Sequence, residues 1–143
     1  MPAIDIVSDA SVALKWFHAE GESEVEAARA ILSAHQARAV AVSVLDLTAY
    51  EIGNALLRGR PRATPEQVAT VLEALAEICP SIQPHLSELR LAAELAARHD
   101  LTLYDAAYAA VAVRRGATLI TLDGALLAAG LGSTPTEVSL QLV

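Results

Sequence analysis

Short apolar segments alternate along this chain with longer segments of helical periodicity, and this alternation limits the possible folds more than any other feature. Strands are predicted at residues 3–8, 39–42, 79–83, 117–122 and 137–142. Parallel neighbouring strands need a long crossover connection, which is usually a helix. The alternation therefore predicts a parallel sheet with helices on both faces, a three-layer α/β/α sandwich.

The segments between the strands carry helix signals. Spacing of apolar residues predicts helices at residues 9–17, 22–36, 46–58, 86–99 and 103–115, with a short one before the last strand. The start of another helix is marked by Thr64-Pro65-Glu66-Gln67. This tetrapeptide offers an N-cap, a proline at the first helical position and a glutamine at the third.

Size and composition favour one globular domain over residues 1–143. The chain is 54% hydrophobic and 19% charged, which gives enough apolar surface to offset the entropy of ordering the backbone. The lone cysteine, Cys79, cannot form an internal disulfide, as expected in a reducing cytoplasm. We find no signal peptide and no run of 18 apolar residues, so we expect a cytoplasmic protein without a membrane partner.

Three aspartates lie among apolar residues or directly after a predicted strand, where an ionised side chain is unfavourable. Asp105 is the only charged residue from position 101 to 113, and Asp123 is the only one between positions 116 and 136. Asp9 and Asp123 each follow a predicted strand directly. Because the carboxyl ends of parallel strands meet at one edge of a sheet, where ligands bind, we expect the three acids to converge there.

Glu51 is the fourth candidate, since it lies on the polar side of its predicted helix. An ionised carboxylate in apolar surroundings costs several kcal/mol unless it is paired or holds a metal ion. Each acid also has a simpler interpretation: Asp9 as an N-cap, Asp105 as part of a capping box, Asp123 as a turn residue and Glu51 as a solvated helix residue. Their joint placement near one sheet edge favours a shared site.

Four motifs occur in order and resemble the acidic motifs of PIN-domain ribonucleases, specifically VapC-like toxins of bacterial toxin–antitoxin pairs. They are Asp9-Ala-Ser-Val-Ala-Leu-Lys-Trp-Phe17, Tyr50-Glu51-Ile-Gly-Asn54-Ala-Leu56, Leu103-Tyr104-Asp105-Ala-Ala-Tyr108 and Thr121-Leu-Asp123. The resemblance implies a PIN fold with five strands in the order 3-2-1-4-5 and a pocket that binds Mg²⁺ or Mn²⁺. It further implies endonucleolytic RNA cleavage, a homodimer and inhibition by an antitoxin.

The chemistry expected of such a site is metal-assisted phosphodiester hydrolysis, because hard divalent cations prefer oxygen ligands. We assign Asp9 and Asp105 as direct ligands, with Glu51 and Asp123 completing the cage or holding metal-bound waters. Residues that could hold these ligands in place are Ser11, Asn54 and Thr121, although the simpler interpretation of each is a cap or local hydrogen-bonding residue.

Positive charge is sparse, since the formal net charge is −7. Arg58, Arg60 and Arg62 could contact RNA phosphates or an antitoxin's acidic groups, or could simply be a solvated helix end. Two other functions stay open: a PIN-like binding or regulatory subunit without significant nuclease activity, and a DNA-directed nuclease on the same fold.

Overall fold

The computed structural model describes residues 3–18 and 23–142, and within them four strands form one parallel sheet. The strands are β1 (Ile4–Ser8), β2 (Val40–Leu45), β3 (Ser81–Ile82) and β4 (Thr118–Ile120). Their order is β3-β2-β1-β4. In the centre of the sheet, Ile6 of β1 pairs with Val42 of β2 and Thr118 of β4.

Helices connect the strands, largely where the sequence predicts them. They are α1 (Ala10–Ala13), which continues as a 3-10 helix (Leu14–Trp16), α2 (Val25–Gln36), α3 (Asp46–Arg58), α4 (Pro65–Ile78), α5 (Leu86–His99), α6 (Leu103–Arg115), α7 (Gly124–Ala128) and α8 (Pro135–Gln141). The start predicted for the second helix, at residue 22, lies outside the described residues. Thr64 and Thr102 cap α4 and α6 as predicted.

The strand predicted at residues 137–142 is wrong, because this segment is helix α8. Thr134 accepts a hydrogen bond from the backbone N–H of Glu137 (3.2 Å), and the Glu137 carboxylate accepts one from the N–H of Thr134 (3.1 Å). With Pro135 at the first helical position, this capping box starts a helix as Thr64 does for α4. The described sheet therefore has four strands instead of five, and an isolated parallel bridge between Ile120 and Ser133 takes the fifth position.

Hydrophobic clusters cover both faces of the sheet, which gives the three layers that the sequence predicts. On one face Ile6 and Val42 pack with residues of α1 to α4 and α8. On the other face Val7 and Leu119 pack against α5, α6 and α7. Helix α6 is the most enclosed, since residues 106–112 are all buried. No helix within the described residues is long and apolar enough to cross a membrane.

Candidate active site

Asp9 follows β1 and is held on three sides. Its side chain is only 4% exposed, and its Oδ1 accepts hydrogen bonds from Ser11 Oγ (2.5 Å) and the backbone N–H of Val12 (3.2 Å). Its Oδ2 accepts a short hydrogen bond from Thr121 Oγ1. Burial raises the pKa of Asp9, while these hydrogen bonds act to lower it. The carboxylate is thus both the N-cap of α1 and a fixed group at the sheet edge.

Two hydroxyl groups connect Asp9 to the segment that follows β4. Thr121 donates to Asp9 and accepts from the backbone N–H of Asp123 (2.9 Å). Ser11 donates to Asp9 and accepts from the N–H of Leu122 (3.0 Å). The ends of β1 and β4 are therefore joined through the Asp9 carboxylate, and both hydroxyls have a fixed donor direction.

Glu51 is oriented by a buried tyrosine that the sequence analysis did not single out. Tyr108 on α6 donates to Glu51 Oε1 on α3 (2.6 Å) and lies 2.7 Å from Thr48 Oγ1. Thr48 in turn accepts from the backbone N–H of Leu45 (3.2 Å). Because an ionised carboxylate only accepts, the Tyr108 proton points to Glu51 and the Thr48 hydroxyl donates to Tyr108. The signal in the sequence is a tyrosine within an apolar helix, since a buried tyrosine hydroxyl needs a partner.

Asp105 and Asp123 lie half-buried at helix starts. The backbone N–H of Asp105 donates to the Thr102 hydroxyl (3.1 Å) in the first turn of α6. Asp123 caps α7, because its Oδ2 accepts from the backbone N–H of Leu126 (3.0 Å). The structure thus confirms Asp9 as an N-cap, and Asp123, which the sequence suggested could be a turn residue, is the N-cap of α7.

The carboxylates affect one another electrically. Burial is the main cause that raises the pKa of Asp9, Glu51 and Asp105. The charge of Asp105 raises the pKa of Asp9 and of Glu51 further, and the charge of Asp123 raises that of Asp105. In the part of the chain that the structure describes, no arginine forms an ion pair with any of the four acids. The four acids therefore form a negatively charged group in which each carboxylate makes ionisation of a neighbour less favourable.

The donor set suits a hard divalent cation, although the side chains do not form a closed cage. Over residues 3–18 and 23–142, no three His, Cys, Asp or Glu side chains are close enough to hold one ion together. Mg²⁺ usually binds through one or two carboxylates and keeps several waters, so an open set of carboxylate oxygens fits this type of ion.

The remaining predicted residues lie apart from the acids. Asn54 is exposed one turn after Glu51 and forms no hydrogen bond with the four acids in the described part of the chain. Arg58 ends α3, whose first turn is at the carboxyl end of β2. Arg60 and Arg62 line a cavity of about 790 Å³ together with apolar residues of the 3-10 segment, α3 and α4. Arg60 and Arg62 therefore belong to a cavity whose lining includes none of the four acids.

Comparison with known families fits this geometry. The PIN domain model matches residues 6–130, which include all four acids. The chain belongs to the PIN domain family. It is 35% identical over 122 residues to Ribonuclease VapC3 of Pyrobaculum aerophilum, an alignment that covers 82% of this chain and 88% of the relative. It is also 38% identical over 104 residues to Exonuclease VapC9 of the same organism, an alignment that covers 69% of this chain and 74% of that relative.

Solved structures of this PIN protein's relatives have the same fold. The structure of PAE2754 from Pyrobaculum aerophilum superposes with a TM-score of 0.69 at 25% identity and covers 97% of this chain and 95% of that chain. A toxin–antitoxin complex from Klebsiella pneumoniae gives a TM-score of 0.66 at 18% identity, with 91% and 97% covered.

Proposed function

We propose that this PIN protein is a metal-dependent endoribonuclease and the toxin of a toxin–antitoxin pair. The observation that carries the proposal is the mutual electrostatic effect of four carboxylates at one edge of the sheet, those of Asp9, Glu51, Asp105 and Asp123. The similarity to a relative named as a ribonuclease supports RNA as the substrate. The cytoplasmic location and the homodimer remain predictions.

Each side chain has a distinct role in this proposal. Asp9 and Asp105 are the direct ligands, and Glu51 and Asp123 complete the negative site. A bound Mg²⁺ or Mn²⁺ supplies Lewis-acid chemistry and neutralises phosphate charge. Ser11 and Thr121 hold the Asp9 carboxylate at a fixed angle, and Tyr108 does the same for Glu51. Such supporting hydrogen bonds keep ligand oxygens in the orientation that a cation needs.

The test uses purified protein and a circular RNA, which an exonuclease cannot attack. This substrate is informative because one relative is named an exonuclease. We expect linear products with Mg²⁺ or Mn²⁺, no products with a chelator, and no cleavage of DNA. Asp105→Asn should abolish cleavage, whereas Asp100→Asn should not, because residue 100 lies in the left-handed region that asparagine also favours (φ 54°).

Three results would count against this function. Equal cleavage of DNA would favour the DNA-directed nuclease, and undiminished activity of Asp105→Asn would remove the acids from the mechanism. Metal uptake without cleavage of any RNA would favour the regulatory subunit.

The antitoxin in this proposal docks at the cavity beside Arg60 and Arg62. Most residues that line the cavity are apolar, and Arg60 and Arg62 of the loop between α3 and α4 also line it. An antitoxin segment with apolar side chains and carboxylates complements it, since arginine pairs well with carboxylates. Co-purification with the product of the adjacent reading frame should weaken in an Arg60→Gln, Arg62→Gln variant and persist in an Arg38→Gln control. An unchanged yield of complex would place the antitoxin elsewhere.

A further inference from the structure

Two tyrosines next to the acids have exposed side chains. Tyr50 precedes Glu51 on α3 and is 80% exposed, and Tyr104 precedes Asp105 on α6 and is 66% exposed. Aromatic rings of this size are normally packed, because each one can bury 150–250 Å² of surface. The exposure of both rings beside the candidate site is therefore unusual and suggests that they contact something outside the chain.

The chain's other aromatic residues behave differently. Trp16 and Tyr108 are buried, and Phe17 is half-buried against the core. Within the described residues the one aromatic pair in contact is Trp16 with Phe17, so neither exposed tyrosine has a ring partner there. Exposure of aromatic rings is thus concentrated beside the acids.

Topology places both rings at the same edge of the sheet. Helix α3 starts directly after β2, and α6 leads through Gly116 into β4, so the first turns of both helices lie at the carboxyl ends of the strands. The Tyr108 to Glu51 hydrogen bond connects these two helices. Tyr50 is one residue before Glu51, and Tyr104 is one helical turn before Tyr108, so both tyrosines lie on the turns next to this connection.

We propose that Tyr50 and Tyr104 are positioning residues that stack on unpaired bases of single-stranded RNA and guide the strand across the acids. The inference rests on the proposed nuclease function. The net charge of −7 means that the chain as a whole offers little attraction for phosphates. Stacking needs no charge and accepts every base, and it is worth about 1–3 kcal/mol per base. A duplex hides its base faces, so the preference is for single strands.

The experiment compares Tyr50→Ala and Tyr104→Ala with the corresponding phenylalanine variants. Val113→Ala is the control, because Val113 is also exposed on α6 but lies at its other end. We expect each alanine variant to raise KM for an unstructured RNA by about 5- to 150-fold, the range that stacking energies imply, with kcat within about twofold. Phenylalanine should restore KM, and Val113→Ala should not change it. Because both tyrosine side chains are exposed, thermal unfolding should be unchanged.

Direct binding separates this inference from the nuclease function. Fluorescence anisotropy can measure how tightly the Asp105→Asn protein binds a labelled single-stranded RNA. We expect the double variant that also carries Tyr50→Ala to bind this RNA more weakly, by the same factor as the rise in KM. Wild-type cleavage combined with unchanged KM in both alanine variants overturns the stacking inference alone. Stacking-dependent binding without cleavage overturns the nuclease function alone. The stacking inference would be overturned if the alanine variants lost as much affinity for duplex RNA as for single strands, or if phenylalanine failed to restore binding. It would also be overturned if the alanine variants lost antitoxin binding or self-association but still bound RNA.

Discussion

Glu88 and Arg115 form an ion pair between α5 and α6, and its contribution to stability can be worked out from the structure. Glu88 is 3% exposed, and its two carboxylate oxygens lie 2.9 Å from Arg115 Nε and Nη2. Glu88 Oε1 also accepts from the backbone N–H of His85 (2.8 Å). Hydrogen bonding to Arg115 lowers the pKa of Glu88 from 4.5 to about 2.

The magnitude follows from this pKa. A fall from 4.5 to about 2 corresponds to about 3 kcal/mol of preference for the ionised form in the folded state. The Arg115 side chain is 36% exposed, so solvent screens the pair and we reduce this figure to about 2 kcal/mol. Glu88→Gln keeps an acceptor for His85 but removes the charge, and we expect it to destabilise the fold by about that amount at pH 7.

The dependence on pH gives the sharper test. Because the folded pKa of Glu88 lies below the unfolded one, the stabilisation is complete above about pH 4.5 and disappears as the pH falls towards about 2. Urea unfolding should therefore show a constant gap between wild type and Glu88→Gln from pH 7 to 5, and a narrowing gap below pH 4.5. The control is Glu94→Gln on the exposed side of α5, which should stay within about 0.5 kcal/mol of wild type.

A gap below about 0.5 kcal/mol at pH 7 would refute the estimate, since removal of one buried partner typically costs more. A gap of constant size from pH 7 to pH 3.5 would refute the cause, because the loss would then come from packing and not from the Glu88 charge.

Three further predictions concern the site and the core. Thr121→Val keeps the shape of the side chain but loses the hydroxyl that donates to Asp9. We expect Mn²⁺ affinity, measured by calorimetry, or the rate of RNA cleavage to fall about 10- to 100-fold. If both stayed unchanged, the hydroxyl would be dispensable. Gly132→Ala would place a Cβ 2.6 Å from the Thr121 methyl group and should reduce activity similarly, whereas Gly124→Ala, with no atom within 4 Å, should not. His35→Ala should lower the free energy of unfolding in urea by about 2 kcal/mol, because it removes the hydrogen-bond partner of a backbone N–H in β2 and of a backbone carbonyl at the end of α4. A decrease of less than about 0.5 kcal/mol would mean that water replaces the imidazole.

Helices are predicted well where their ends carry local signals. The bounds of α3, α5 and α6 match the prediction, because apolar spacing, caps and the Gly116 stop all lie within the segment itself. Strand lengths depend on partners far away in the sequence. β2 runs on to Leu45 since it pairs with both β1 and β3, while β3 keeps only two residues.

The last segment shows which of two local signals prevails. Val138, Leu140 and Leu142 alternate as in a strand, but the preceding capping box and Pro135 start a helix. Val138 and Pro135 are then buried and Leu142 packs against the core, while Leu140 stays exposed, so the helix still buries most of the segment's apolar residues. A cap signal therefore deserves more weight than alternation over so few residues.

Among the candidate site residues, Asp105 and Asp123 are visible in the sequence as isolated charges in apolar surroundings, Asp9 by its position after a strand, and Glu51 only by its place on the polar side of a helix. The hydroxyl partners are visible only in part. Ser11 and Thr121 lie within two residues of an acid, so local reasoning reaches them. Tyr108 reaches Glu51 across 57 positions, and that contact depends on how α3 and α6 pack. A pattern of neighbouring residues in the sequence cannot indicate a contact between two positions so far apart.

The capping and metal-binding interpretations of an aspartate are compatible, and Asp9 shows why. A carboxylate has about four acceptor positions, and the hydrogen bonds from Ser11, Val12 and Thr121 occupy three. Those bonds fix the direction of the fourth. Asp123 uses one oxygen for its cap, and its other oxygen has no hydrogen bond within the described residues. In the proposed metal site a cap would orient the free lone pairs of a ligand, so an N-cap hydrogen bond does not by itself identify a purely structural acid.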